Sequence, residues 1–126
     1  MKPVEHLLVV DDDPEICELL ARYLGKNGYR VSTAECGRAM MRIMDHHHID
    51  LIVLDLILPG EDGLEITRNL RARSDIPIIL MSARGEEVDR IVGLEMGADD
   101  YLAEPSSPDE LHSKLEAAIR DDAAAR

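Results

Sequence analysis

Leu51-Ile52-Val53-Leu54 is apolar at four consecutive positions and then ends in Asp55. A strand with water on one face alternates apolar and polar residues. A run without alternation belongs to a strand covered on both faces, as in a parallel sheet with helices above and below. Leu7-Leu8-Val9-Val10 has the same character and ends in Asp11-Asp12-Asp13, and Ile76 to Met81 ends in Ser82-Ala83. Arg30 to Ala34 and Asp99 to Leu102 read as shorter strands, the last running on to Glu104-Pro105.

Amphipathic stretches separate these runs. Pro14 opens a helix whose expected inner face is Ile16, Leu19, Leu20, Tyr23 and Leu24, ended by Gly25, Asn27 and Gly28. Ala39, Met40, Ile43 and Met44 mark a second helix, ending near His46-His47-His48. Pro59-Gly60-Glu61-Asp62-Gly63 is a turn cluster, followed by a third helix with Leu64, Ile66 and Leu70 inward. Glu86 to Met96 reads as a helix with a thin stripe of Val88, Ile91, Val92 and Leu94. Ser107-Pro108-Asp109-Glu110 is a capping box opening the last helix, with Leu111, Leu115, Ala118 and Ile119 on its face. Five strands alternating with five helices predict βαβ crossovers in one doubly wound parallel sheet. In such sheets ligands bind beyond the carboxyl ends of the strands.

Composition narrows the function. The 126 residues suit a single domain, and 45% hydrophobic content is enough for a core. Asp and Glu total 26 against 14 Lys and Arg, a net charge of −12, which argues against direct contact with nucleic acid or an anionic membrane. There is no Phe or Trp for base stacking. Cys17 and Cys36 make no disulfide framework and read as small fillers in a reducing compartment. Neither a signal peptide nor a membrane span is visible, so a cytoplasmic protein is expected. The histidine run and Met40, Met41 and Met44 read as solvated face and core filling respectively, not as ligand sites.

The strand ends carry the chemistry. Carboxylates converging at one sheet edge repel unless a cation sits among them. An all-oxygen set suits Mg²⁺, and a carboxylate beside it is a plausible nucleophile toward phosphorus. Asp11 to Asp13 also precede a helix N-terminus, where acids are favoured as caps. That reading does not reach Asp55, at the end of a wholly apolar strand.

These segments resemble a known family, the response-regulator receiver domains of bacterial two-component signalling. Val9-Val10-Asp11-Asp12-Asp13-Pro14 resembles its acidic motif, and Leu51 to Gly60 its phosphoacceptor strand and turn. Met81-Ser82-Ala83 resembles its switch-hydroxyl motif, and Gly97-Ala98-Asp99-Asp100-Tyr101 its fifth strand. Gly85 to Glu95 is most like the subfamily that carries a winged-helix DNA-binding domain. The likeness runs from Leu7 to about Arg120. It implies a flavodoxin-like strand order 2-1-3-4-5, with residues 1–120 as the receiver and 121–126 as a tail or the start of a linker.

The resemblance further implies that Asp55 accepts a phosphoryl group from a sensor histidine kinase. Mg²⁺ would be bound by Asp12, Asp55 and the Ile57 backbone carbonyl, with Asp11 acting through water. Ser82 and Tyr101 would be the switch residues, Tyr101 turning inward. The chain would be a signalling switch, not an enzyme beyond slow self-dephosphorylation, and would reach DNA only through a separate output domain. The fourth helix, fifth strand and fifth helix would form the output and dimer face.

Two positions depart from the family. Glu104 stands where the family has lysine, and Ser106 where it usually has Phe. A carboxylate about 4 Å from another repels it by roughly 4 kcal/mol at an effective dielectric near 20. Glu104 would swing to solvent, strengthen cation binding, or hinder phosphoryl binding and uncouple the switch. On the dimer face Arg90 can pair with Glu110, and Asp100 with Lys114. Glu95 would meet Glu116, and Asp99 would meet Asp121, which disfavours the dimer. The alternatives are an atypical receiver that signals without productive phosphorylation, and a Mg²⁺-dependent phosphatase. The second needs an acid two residues after the nucleophile, where this chain has Ile57.

Overall fold

The computed structural model describes residues 4–82, 87–103 and 107–124, with the side chains of 87–89 outside that description. Glu104, Pro105 and Ser106 lie outside the described residues. The elements run β1 (His6–Val10), α1 (Pro14–Lys26), β2 (Arg30–Ala34), α2 (Gly37–His46), β3 (Leu51–Asp55), β4 (Ile57–Leu58), β5 (Glu61–Asp62), α3 (Gly63–Arg73), β6 (Ile78–Ser82), α4 (Glu87–Glu95), β7 (Asp100–Ala103) and α5 (Pro108–Ala124). The main sheet has the order β2-β1-β3-β6-β7, all parallel. Counting only its own five strands, this is the expected order 2-1-3-4-5.

Alternate residues of each strand feed two cores. Leu8, Val10, Ile52, Leu54, Ile78 and Leu80 pack on one side with Met40 of α2 and Leu70 of α3. Leu7, Val9, Leu51, Val53, Ile79 and Met81 pack on the other with Leu20 and Leu24 of α1 and Leu111 and Leu115 of α5. β3 is flanked on both sides by neighbouring strands and covered on both faces. This is why its sequence shows no alternation.

Several expectations need correction. The turn cluster after Leu58 contains an antiparallel hairpin, β4 to β5, pairing Ile57 with Asp62 and Leu58 with Glu61. Pro59-Gly60 forms its tip, and Gly60 has φ +71°, the left-handed value a glycine supplies cheaply at the third position of a turn. Leu19 is 57% exposed, and Cys17 takes its place on the buried face of α1. On α4, Ile91 and Leu94 face solvent, 46% and 37% exposed. The helix instead turns Gly93 to the sheet, where an added Cβ would lie 2.6 Å from Leu80 Cδ1. α5 continues to Ala124 through residues read as tail.

Candidate functional site

β1 and β3 are neighbours with Val10 opposite Leu54, so Asp11 and Asp55 emerge side by side at the carboxyl edge. β6 lies on the other side of β3, with Asp55 opposite Met81 and Ser82 one residue beyond. Asp11, Asp12 and Asp55 each offer a carboxylate oxygen, and these oxygens lie within 4.8 Å of one another.

The three aspartates of the acidic run have separate local roles. Asp13 is the N-cap of α1, its Oδ1 accepting the Glu15 N–H at 2.9 Å. Asp12 is exposed. Asp11 is 2% exposed. Its Oδ1 accepts the Asp13 N–H at 2.9 Å, while its Oδ2 is buried with no hydrogen-bond partner among the described residues. Burial pushes the Asp11 carboxyl up to about 6, against the lowering effect of the Asp13 N–H, with Asp55 and Asp12 adding repulsion. Cys17 donates its thiol to the Asp11 carbonyl at 3.3 Å, and burial raises that thiol to about 11, so it remains protonated.

Asp55 is half-buried, and its Oδ1 accepts the Ile57 N–H at 3.0 Å. The segment beyond it is tightly fixed. Leu56 N–H donates to Met81 O at 2.7 Å, and Gly63 N–H returns to Leu56 O at 3.0 Å. A Cβ at Gly63 would lie 2.5 Å from that same carbonyl oxygen, so the close return requires glycine. Ser82 is fully buried at the end of β6. Tyr101 is 6% exposed with its ring in the core, and its hydroxyl has no partner among the described residues.

The donor set fits a hard cation. It is oxygen only, it concentrates negative charge, and it holds one carboxylate oxygen out of water with no partner among the described residues. Mg²⁺ at this edge would be held by Asp11, Asp12 and Asp55.

Four of the charged residues expected on the dimer face have partners inside the chain. Lys114 Nζ lies 3.2 Å from Asp100 Oδ1. Arg71 Nη2 of α3 lies 2.9 Å from Asp99 Oδ2, which also accepts the Ile78 N–H at 2.8 Å. His112 Nε2 lies 2.8 Å from Glu116 Oε1. Glu95 is exposed. The reach of Arg71 across 28 residues left no local mark in the sequence. Nor did the contact of Glu61 with the Gly37 N–H at the start of α2. Among the described residues no helix is long and apolar enough to cross a membrane.

Comparison with known proteins places this edge in context. The chain is 50% identical over 125 residues to the transcriptional regulatory protein AruR of Pseudomonas aeruginosa, covering 95% of this chain and 51% of that one. It is 47% identical over 115 residues to the protein PetR of Rhodobacter capsulatus, covering 91% and 48%. It thus spans about half the length of these curated relatives. The receiver domain of the TMAO respiratory system response regulator TorR superposes with a TM-score of 0.89 at 42% identity, covering 93% of this chain and 98% of that one. The BeF3-activated receiver domain of Klebsiella pneumoniae RstA superposes with a TM-score of 0.87 at 34% identity, covering 92% and 99%. Residues 7–116 match the model of the response regulator receiver domain. The chain belongs to the response regulator receiver domain family.

Proposed function

We propose that Asp55 is the phosphoacceptor of a Mg²⁺-dependent signalling switch, loaded from the phosphohistidine of a sensor histidine kinase and controlling a transcriptional output through a separate domain. The observation that carries this is the carboxylate cluster of Asp11, Asp12 and Asp55, with Asp11 Oδ2 buried and without a partner among the described residues. In the transfer an Asp55 carboxylate oxygen attacks phosphorus, the P–N bond breaks, and the departing imidazole nitrogen takes a proton. The product is an acyl phosphate, hydrolysed slowly by water. Mg²⁺ bound by Asp12, Asp55 and the Ile57 carbonyl, with Asp11 acting through water, would supply positive charge that offsets the carboxylates' repulsion and that of the phosphoryl oxygens. The Ser82 hydroxyl, one residue past the partner of Asp55, donates to a phosphoryl oxygen. Tyr101 is the second switch residue; its ring already lies in the core here, so it would report the change to the α4–β7–α5 face by holding this inward position rather than by turning into it. The setting is cytoplasmic and reducing, with both cysteines free.

A homodimer through that face is weakened in this reading. Asp99, Asp100, Lys114 and Glu116 are engaged within the chain, and Glu95 would meet Glu116 across the interface. Sedimentation of the beryllofluoride-loaded protein should show a monomer or a weak dimer, and a tight dimer through this face contradicts it.

Glu104 in place of the family lysine favours a second reading, a receiver whose switch is uncoupled from phosphorylation. Intact mass after incubation with acetyl phosphate and Mg²⁺ separates the two. One added phosphoryl group, absent in Asp55→Asn, supports the first. No adduct on folded protein, with recovery in Glu104→Lys, supports the second.

A further inference from the structure

We propose that Glu61 is a positioning residue for the pocket, holding the β4–β5 hairpin, and through it the Ile57 peptide, in place beside Asp55. The inference rests on the reading of the pocket given above.

α2 is poorly provided at its N-terminus. Its cap is Cys36, whose Sγ accepts the Ala39 N–H at 3.5 Å, and its first turn contains no acidic residue. A thiol is a weak acceptor, and a helix start without Asp, Asn, Ser or Thr leaves N–H groups in need of partners. The missing acceptor comes from another element. Both carboxylate oxygens of Glu61 sit on the Gly37 N–H, at 3.0 and 3.1 Å. A Cβ at position 37 would lie 2.3 Å from Glu61 Oε2, so a larger residue there would push the carboxylate out of this seat. Negative charge here also meets the positive end of the helix dipole.

This contact bears on the pocket because the hairpin is small. Its strands have two residues each, and a hairpin of that length has little stability of its own. Two of its ties are local and the third reaches another element. Ile57 N–H is on Asp55 Oδ1, Gly63 N–H is on Leu56 O, and Glu61 is on α2. Glu61 is paired with Leu58, and Ile57 is its next residue on the opposite strand. Removing the Glu61 seat leaves one flank of the hairpin unanchored, and the Ile57 peptide, expected to serve the cation, loses its fixed relation to Asp55. Groups that orient metal ligands from behind are typically worth about tenfold or more in metal affinity.

The test is Mg²⁺ titration followed by the NMR shifts of the Asp12 and Ile57 amides, with the thermal midpoint in EDTA measured for each variant. Glu61→Ala should raise the Mg²⁺ dissociation constant about tenfold. Glu61→Gln, which keeps an acceptor oxygen for the Gly37 N–H, should recover most of it. Gly37→Ala should evict the carboxylate from the other side and reproduce the loss. Ala118→Gly, which loosens α5 away from the pocket, should lower the midpoint and leave Mg²⁺ binding unchanged. Glu61→Ala binding Mg²⁺ as the wild type does overturns the proposal while the pocket reading stands. So does an equal loss in Ala118→Gly. Wild-type protein that binds no Mg²⁺, or binds it equally after Asp55→Asn, overturns the pocket reading and the proposal with it.

Discussion

At the carboxyl ends of the strands, Asp11 is buried beside Asp12 and Asp55 with one oxygen unsatisfied among the described residues. At the amino ends, acids are matched to donors. Asp99 accepts from Arg71 and from the Ile78 N–H. Asp50 accepts the His6 N–H at 2.8 Å and faces His48 Nε2 at 3.1 Å. One side-chain type thus does opposite things on one sheet. At the amino ends a carboxylate ties neighbouring segments together. At the carboxyl ends carboxylates are forced together by strand register, and a bound cation would relieve their repulsion.

The contrast is broken most strongly by removing charge at the crowded end. The Asp11 carboxyl is raised to about 6, so its ionisation disfavours the folded state. Asp11→Asn should therefore stabilise the protein in EDTA at pH 7.5, by an amount on the order of 2 kcal/mol. The variant should gain less from added Mg²⁺ than the wild type. Urea denaturation with and without Mg²⁺ measures both effects. A destabilised Asp11→Asn in EDTA would show that the cluster is not strained.

The same experiment at the matched end should change sign. Asp99→Ala leaves the fully buried Ile78 N–H without its acceptor and takes one of three partners from Arg71, which also donates to Gly97 O and Ser74 O. The expected loss is about 1–2 kcal/mol, independent of Mg²⁺. A loss that Mg²⁺ reverses would mean that the two ends are coupled rather than separate.

The sequence disclosed these two ends unequally. Asp55 was legible because a charge closing a wholly apolar strand has few structural explanations. The bounds of β2 were legible because Gly28 and Gly37 punctuate it, and those of β3 because the apolar run closes on its own charge. The face of α4 was misread because its contact with the sheet is made by Gly93, and a glycine leaves no hydrophobic period. The β4–β5 hairpin was read as a turn because two-residue strands are too short to show alternation. The Arg71–Asp99 brace and the Glu61 seat join residues 28 and 24 positions apart. Nothing local predicts such pairs, so Asp99 read as an interface group when its partner was already in the chain.

The finest comparison is pH, because the two ends respond with opposite sign. His6 is 5% exposed, its Nε2 lies 2.7 Å from Ser32 Oγ, and its ring stacks edge-on with His47 at 5.7 Å. Burial, with Arg30 and His47 adding to it, lowers its pKa below the ordinary 6.5, although Asp50 and a bond with the His48 backbone act the other way. A depressed histidine favours the fold while neutral, and that contribution is lost as pH falls from 6.5 through its folded value. Asp11 does the reverse. Its penalty is full above about 6 and is relieved as pH falls toward its unfolded value near 4. The wild type in EDTA should therefore show a shallow stability profile across this range, with two slopes partly cancelling. Asp11→Asn removes the relief and should expose a stability that simply declines on acidification below 6.5. The decline should fall below the effects expected for Asp11→Asn and Asp99→Ala at neutral pH. A profile in Asp11→Asn that stays flat from pH 7.5 to pH 5 would show that His6 is held neutral at no cost, and that the amino end is indifferent to acid.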